Sequence, residues 1–245
     1  MSSSVKTVAF FGASAGVGHG ALKHSLAAGH KCIALCRDPS KLTTIFPPES
    51  TPNLTVISGN AHDVEAVSKC LQPEERSGKL VDMVITTIGG RPIMHKMTVD
   101  DPNVCRKGAA ALLEAIAQLR QKGATGNPQI VAFSTTGLSK FARDYPLLLT
   151  PVYTLMLKVP HEDKEIMEET FIQSGLPFTI TRASLLTTGE TDKPVRVGIE
   201  DPKTGIESKA IGYTISREDC GRWLCQNLIS KEHPEYMNKI LTITN

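Results

Sequence analysis

Cysteine pairs, long apolar runs and an excess of charge of either sign are all missing from this 245-residue sequence. None of its six cysteines stands in a C-x-x-C pair and no two histidines are spaced like metal ligands with a carboxylate between them, so we predict reduced thiols and no metal site. A net charge of +2 without a Lys/Arg-rich stripe gives no basis for nucleic-acid binding. No segment is apolar over enough residues to span a bilayer, so a membrane is not expected as a partner either.

The first residues also lack the apolar core of a signal peptide, since residues 1–6 are a short polar lead-in. The composition, 40% apolar and 21% charged, is that of an ordinary globular protein. We therefore predict a cytoplasmic protein. No internal repeat, low-complexity tract or interdomain linker interrupts the chain, so we expect one domain over residues 1–245.

What the sequence does contain is a glycine cluster directly after an apolar run. Gly12, Gly16 and Gly18 follow the strand-like residues 8–11, and helical spacing follows them. A sharp turn from strand to helix needs an unusual φ at Gly12, a phosphate can approach where Gly16 has no Cβ, and Gly18 lets the helix pack close to the sheet. The cluster predicts a phosphate-bearing cofactor on the backbone N–H groups of this turn; the alternative is a glycine-rich turn without a ligand.

Strand-like and helix-like segments alternate through the first half of the chain, and further such segments follow. We predict strands at residues 7–11, 31–35, 54–58, 82–87, 129–134, 176–182 and 239–244, and helices near 18–28, 61–71, 103–122 and 160–174. This order is typical of a doubly wound α/β fold of Rossmann type, with a parallel sheet covered by helices on both faces. Residues 184–212 are expected to form a small C-terminal excursion, with a short strand at 195–199, which binds substrate together with residues 138–160.

The end of the second strand predicts which cofactor is bound. Arg37 follows Gly18 by 19 positions, close to the spacing at which such folds place the residue that meets the adenosine ribose. An acidic residue there binds a 2′-hydroxyl, whereas an arginine accepts a 2′-phosphate, so Arg37 favours NADP(H) over NAD(H) unless it is only a surface arginine. Lys41 and Ser14 are expected to assist, and Asp38 to cap the next turn.

Further cofactor contacts are expected where the neighbouring strands end, because the dinucleotide crosses that edge of the sheet. Residues 60–61 occupy the place expected for the adenine, and residues 86–89 lie beside the expected dinucleotide path. The cofactor-binding residues predicted from these patterns are Gly12, Ser14, Ala15, Gly16, Val17, Gly18, Arg37, Lys41, Asn60, Ala61, Thr86, Thr87, Ile88 and Gly89.

Taken together, the segments 12–18, 36–42, 133–137, 168–182 and 217–221 resemble the atypical branch of the short-chain dehydrogenase/reductase superfamily. The resemblance is to the flavin/biliverdin reductase type and the NmrA-like group, and it covers nearly the whole chain. It implies that hydroxyls at Ser134 and Thr135 orient the substrate or the nicotinamide, and that Ser184 touches one of them. The alternative for Ser134 and Thr135 is a strand end closed by small polar residues.

The sequence departs from the superfamily in its catalytic pair. The usual Tyr-x-x-x-Lys motif is missing, because Tyr153 is followed by a lysine only at position 158. The resemblance implies a functional lysine at Lys164, although a solvated helix position explains it equally well. His161 is a candidate proton shuttle or a surface residue, and Tyr153 a wall of the substrate pocket.

These features predict an NADP(H)-dependent oxidoreductase that transfers hydride to or from a small or medium-sized organic molecule. A flavin, quinone or carbonyl-like substrate is expected, and the candidate catalytic residues are Thr135, Lys164, His161 and Tyr153. The lost motif supports two alternatives: a non-enzymatic NADP(H)-binding redox sensor of NmrA-like type, and a non-redox enzyme that retains the cofactor.

Overall fold

A nine-stranded sheet with seven central parallel strands dominates the computed structural model, which describes residues 4–76, 78–93, 98–153 and 157–245. The strands are β1 (Thr7–Phe11), β2 (Lys31–Cys36), β3 (Leu54–Ser58), β4 (Met83–Thr86), β5 (Pro92–Ile93), β6 (Thr98–Val99), β7 (Gln129–Thr135), β8 (Phe178–Ala183), β9 (Leu185–Thr187), β10 (Arg196–Asp201), β11 (Gly205–Ser208), β12 (Thr214–Ser216) and β13 (Lys239–Thr244). The helices are α1 (Gly16–Ala27), α2 (Ser40–Thr43), α3 (Val64–Leu71), α4 (Val104–Gln121), α5 (Lys158–Gln173) and α6 (Arg217–Leu224).

The sheet order is β11-β10-β13-β8-β7-β4-β1-β2-β3. The seven strands from β3 to β13 in this order run parallel. The chain proceeds from β1 to β2 and β3 on one side, and β4 then lies on the other side of β1, so the strand order changes direction between β1 and β4. The predicted doubly wound α/β fold is therefore confirmed. In such sheets ligands bind outside the carboxyl ends of the strands, where the winding changes direction, which is the edge of the sheet that carries the glycine turn after β1.

Alternate side chains of each strand supply two separate cores. In β1, Val8 and Phe10 pack with α1 and α6 on one face, whereas Ala9 and Phe11 pack with α3, α4 and α5 on the other. When both faces of a strand are buried, nearly all of its side chains are apolar. Residues 8–11 therefore show no alternation of apolar and polar residues.

The predicted C-terminal excursion is partly wrong, because much of it joins the main sheet. Strand β10 pairs antiparallel with β13, and β11 pairs antiparallel with β10, so these two strands extend the sheet beyond its parallel part. Without them β13 would be an edge strand with unpaired N–H and C=O groups. The strand predicted at 195–199 is confirmed with slightly different ends, and β9 pairs separately with β12.

Helices α1 and α6 approach each other closely at two glycines. A Cβ on Gly221 would lie 2.6 Å from the carbonyl carbon of Gly20, and a Cβ on Gly20 would lie 3.3 Å from the Cα of Gly221. The crossing holds the first turn of α6 beside the glycine turn that precedes α1. Among the described residues, no helix combines the length and apolar character needed to cross a bilayer.

Candidate functional site: a nucleotide cleft and a lysine at the strand ends

The glycine turn after β1 is held by the end of β4. Gly12 has φ +95° and Gly16 φ +60°, a region that favours glycine. A Cβ on Gly12 would lie 2.8 Å from Thr87 Oγ1, and a Cβ on Gly18 would lie 2.5 Å from the Gly12 carbonyl oxygen. The Thr87 hydroxyl donates to that same carbonyl at 3.1 Å. The turn therefore has the tight geometry that the glycine spacing predicts.

Helix α1 begins without the groups that usually satisfy the first N–H groups of a helix. Its N-cap residue, Ala15, offers no side-chain hydrogen bond, and its first turn contains no acidic residue. In contrast, Asp63 accepts backbone N–H groups at the start of α3, and Ser216 accepts one at the start of α6. The uncapped start of α1 is suited to an anion such as a cofactor phosphate, so the residues present fit a dinucleotide.

A cleft of about 380 Å³ runs from the glycine turn past the ends of β2 and β3 to the loop before α4. It brings together nine of the predicted cofactor residues, namely Gly12, Ser14, Ala15, Arg37, Asn60, Ala61, Thr87, Ile88 and Gly89. The prediction of a nucleotide site at this edge of the sheet therefore agrees with a real cavity, while the contacts of each residue with a cofactor stay predictions.

The remaining predicted cofactor residues do not line this cleft. Val17 is buried in the core on the α1 face. Gly18 is covered by the turn itself, and Lys41 is exposed on α2. The hydroxyl of Ser184 donates to the Gly212 carbonyl at 3.1 Å. The others in this group are Gly16, Thr86 and Ser134.

Arg37 is exposed and lines the cleft at the end of β2, whereas its acidic neighbour is turned elsewhere. The Asp38 carboxylate accepts the Ser40 hydroxyl at 2.6 Å, and this hydrogen bond is the main cause of the lowered pKa of Asp38. This hydrogen bond joins two side chains, and α2, whose N-cap residue is Pro39, has no side-chain cap, so the capping role predicted for Asp38 is not confirmed. Of these two neighbours, only Arg37 lines the cleft.

Lys164, in α5, places its ammonium at the ends of two neighbouring strands. Its ammonium donates to the Phe133 carbonyl at 2.7 Å and lies 3.5 Å from the Ile88 carbonyl oxygen. Phe133 is in β7, and Ile88 follows β4, which pairs with β7. Lys164 is therefore not simply a solvated helix residue, because its ammonium is fixed at the edge of the sheet where the candidate Ser134 and Thr135 also stand.

The buried acid that precedes Lys164 caps a neighbouring helix. The carboxylate of Asp163, in α5, faces the start of α4. It accepts the backbone N–H of Cys105 at 2.7 Å and that of Arg106 at 3.0 Å, and it also accepts Arg106 Nε at 3.0 Å. Asn103, the N-cap residue of α4, makes no side-chain cap, so Asp163 replaces it from another helix.

Tyr153 is buried and faces away from open solvent. Its hydroxyl is 2.6 Å from Thr136 Oγ1, and its ring stacks on that of Tyr145 at 4.2 Å between centroids. Burial raises the pKa of Tyr153, so the phenol is a poor acid. Tyr145 is half-buried over it, and the role of Tyr153 as a wall of the substrate pocket stays a prediction. Positions 154–156 of the predicted substrate segment lie outside the described residues.

His161 lies against the Tyr153 ring and carries no charge near neutral pH. Burial, with a smaller effect of the nearby Lys164, lowers the pKa of His161 to about 4. An imidazole that stays neutral does not change charge near pH 7, so the predicted proton shuttle near neutrality is not supported. A hydrogen-bonding role for neutral His161 stays a prediction.

A buried ion cluster supports the loop that follows β7. Arg182 donates to Glu168 at 2.7 Å, to Glu200 at 3.2 Å and to the Leu138 carbonyl at 3.3 Å. Nearby, the buried carboxylate of Asp144 accepts the Gly137 N–H at 2.8 Å, and burial raises the pKa of Asp144. Through Arg182 these contacts tie Leu138, in the loop after β7, to α5 and β10.

The family model described as NAD(P)H-binding matches residues 12–231, a range that begins at the first glycine of the turn. The chain belongs to this NAD(P)H-binding family. A nicotinamide dinucleotide is the kind of ligand that the glycine turn predicts.

Two curated relatives cover essentially the whole chain. This NAD(P)H-binding chain is 40% identical to Reductase pytE of Aspergillus terreus, with 100% of both chains covered. It is 29% identical to Oxidase pynE of Aspergillus niger, with 97% of this chain and 98% of the relative covered.

Solved structures show the same fold at low identity. A short-chain dehydrogenase/reductase from Veillonella parvula, solved in complex with NADP, has a TM-score of 0.72 at 13% identity. The superposition covers 99% of this chain and 95% of the Veillonella chain. The anaerobillin reductase ChuY from Escherichia coli O157:H7 has a TM-score of 0.66 at 15% identity, with 97% and 96% covered. These likenesses confirm the predicted resemblance to atypical short-chain dehydrogenases/reductases as one of fold.

Several cleft residues of this NAD(P)H-binding chain were not predicted. His62 directly follows the predicted pair 60–61 and could have been included on that ground. The others lie at the end of β2, directly after β3, in the loop before α4 or at the first residue of α4. No motif in the sequence marks that loop as part of a binding site. The full set missed is Leu35, Cys36, Gly59, His62, Arg91, Asp100, Asp101 and Val104.

The two carboxylates of the cleft are already engaged by the protein. Asp100 accepts the backbone N–H of Arg91 at 2.7 Å, and Asp101 accepts that of Asn103 at 2.9 Å and the ammonium of Lys107 at 3.1 Å. Hydrogen bonds to the protein satisfy these acids and reduce their repulsion of a phosphate.

Proposed function

We propose that this chain is an NADP(H)-dependent oxidoreductase that transfers hydride to or from a small or medium-sized organic molecule. The observation that carries the proposal is the position of Lys164, whose ammonium lies at the ends of β4 and β7, at the same edge of the sheet as the glycine turn. The two Aspergillus relatives are named a reductase and an oxidase, which supports oxidation–reduction chemistry.

The preference for NADP(H) over NAD(H) rests on Arg37. A guanidinium can hold a 2′-phosphate through two parallel hydrogen bonds, whereas NAD(H) sites use a carboxylate for the 2′-hydroxyl. Here the nearby carboxylate, Asp38, is bound to Ser40 and does not line the cleft.

The chemistry of the site follows from the ammonium of Lys164. Bound nicotinamide supplies or accepts the hydride. Lys164 has three N–H donors, and two of them are directed at the carbonyls of Phe133 and Ile88. The third is left for a substrate oxygen or nitrogen, where the positive charge stabilises the negative charge that develops as hydride arrives. A flavin, quinone or carbonyl-like acceptor develops such charge.

Turnover is tested by following NADPH absorbance with a panel of flavins, quinones and carbonyl compounds. We expect oxidation with at least one acceptor, and a fall in kcat of roughly 10²–10³-fold for Lys164→Met, as for loss of a donor that stabilises an oxyanion. Lys158→Met, on the exposed first turn of the same helix, is the matched control. Tight NADPH binding without turnover of any acceptor would instead indicate the redox sensor, and product formation without net cofactor oxidation a non-redox enzyme.

Cofactor preference is tested by titrating the protein with NADPH and NADH. Arg37→Gln should weaken NADPH binding by about 1.5–3 kcal/mol, roughly ten- to hundredfold, and change NADH binding little. Lys41→Gln should have a smaller effect, because Lys41 does not line the cleft. An equal loss for the two cofactors, or no loss for either, would contradict the assignment of Arg37.

A further inference from the structure

Arg217, in the first turn of α6, lies over the glycine turn although 201 positions separate it from Gly16 in the sequence. Its Cδ is 3.5 Å, and its Nε 4.0 Å, from the place where a Cβ on Gly16 would stand. Gly16 is the residue at which the sequence predicts close approach of a pyrophosphate. The side chain of Arg217 therefore lies next to the path expected for the cofactor phosphates.

The position of Arg217 is set by rigid backbone contacts. Ser216 caps α6 by accepting the Asp219 N–H at 2.9 Å, and the carbonyl oxygen of Arg217 lies 3.6 Å from where a Cβ on Gly20 would stand. Because α1 and α6 cross at Gly20 and Gly221 with backbone in contact, the first turns of the two helices keep a fixed separation.

The guanidinium of Arg217 has donors left after its contacts with the protein. Nη1 donates to the carbonyls of Leu186 at 3.2 Å and Thr187 at 3.1 Å, both in β9. Within the described ranges, Nε and Nη2 make no hydrogen bond and the side chain makes no ion pair. Nε and Nη2 form the edge of the guanidinium that matches two oxygens of a phosphate.

We propose that Arg217 binds the pyrophosphate of the nicotinamide cofactor through Nε and Nη2, while Nη1 holds β9 against the cofactor site. The proposal rests on the nicotinamide cofactor of the proposed function but not on turnover. The unpaired cation lies beside Gly16, which is the first residue of the uncapped α1, and both the cation and the helix start favour a bound negative charge. In this proposal Arg217 binds the pyrophosphate, which NADP and NAD share, whereas Arg37 binds the 2′-phosphate, which only NADP carries.

The test measures dissociation constants by isothermal titration calorimetry for NADP⁺, NAD⁺ and adenosine 2′-monophosphate, which has no pyrophosphate. R217Q should weaken NADP⁺ and NAD⁺ alike, by roughly tenfold or more, and leave the monophosphate unchanged, because a charge-assisted pair of hydrogen bonds is lost. R37Q should give a different pattern: weaker binding of NADP⁺ and the monophosphate, and unchanged binding of NAD⁺. R120Q, at the far end of α4, should change none of the three.

Binding of NADP⁺ and NAD⁺ by R217Q within twofold of wild type would overturn the proposal, and so would an equal loss for the monophosphate. If thermal unfolding shows that R217Q is not folded, R217K takes its place, and the expected result is an intermediate loss, since lysine keeps the charge without the two-point contact. An R217K affinity equal to that of wild type would overturn the two-point contact. The assay uses oxidised cofactors, so a protein without turnover can still confirm the proposal, whereas a wild type that binds none of the three probes refutes it together with the cofactor assignment.

Discussion

The carboxylate of Asp163 is expected to be one of the most important single groups for the stability of this fold. Asp163→Ala removes the acceptor of two N–H groups at the start of α4 and leaves Arg106 without its ion-pair partner. A buried donor without a partner costs about 1–3 kcal/mol, so we expect the free energy of unfolding to fall by about 3 kcal/mol. For a chain of this size the melting temperature changes by about 2–4 °C per kcal/mol, which gives a fall of roughly 6–12 °C.

The matched control is Asp63, which caps α3 with the same chemistry on the protein surface. It accepts the Glu65 N–H at 2.9 Å and the Ala66 N–H at 3.5 Å. Water can replace an exposed cap, so Asp63→Ala should cost about 1 kcal/mol. Urea unfolding of both variants and of wild type gives the comparison. If Asp163→Ala loses no more stability than Asp63→Ala, the reasoning that burial and the link to a second helix make this cap important is wrong.

Three further predictions concern packing and pH. Gly18→Ala should lose about 1–3 kcal/mol, because the new methyl group meets Thr87 Oγ1 and the glycine turn, whereas Gly89→Ala, which meets nothing, should stay within about 0.5 kcal/mol; urea unfolding distinguishes them. Wild type should lose stability as the pH falls from 6.5 to about 4, because the unfolded chain protonates His161 first, and His161→Gln should lose less; a parallel decline would contradict the lowered pKa. Burial raises the folded pKa of Asp144 above 3.8, so Asp144→Asn should gain stability over wild type as the pH rises from 3 to 7.

Local sequence patterns were sufficient to predict the fold and two parts of the nucleotide cleft, the glycine turn and Arg37. The strands at residues 7–11, 54–58 and 239–244 have the predicted ends. The glycine turn is predictable because the strain of a strand-to-helix turn and the packing of the helix on the sheet act within seven residues. Arg37 is predictable for a related reason, since one strand–helix–strand unit sets its distance from the turn.

Other features depend on which elements meet in space, and no spacing in the sequence reports that. Asp163 caps α4 rather than its own helix because α5 packs against the start of α4. Strands β10 and β11 extend the main sheet beyond β13, whose outer backbone groups would otherwise be unpaired.

The sequence alone thus determined a parallel α/β fold and a turn suited to phosphate, because both arise from the periodicity and the conformational limits of neighbouring residues. Only the tertiary structure decided where two cations from distant segments stand. The Lys164 ammonium lies at the ends of β4 and β7, and Arg217 lies beside Gly16 because two glycines let α6 lie against α1. Packing between elements far apart in the chain supplies these contacts, and it depends on shape and volume rather than on local pattern.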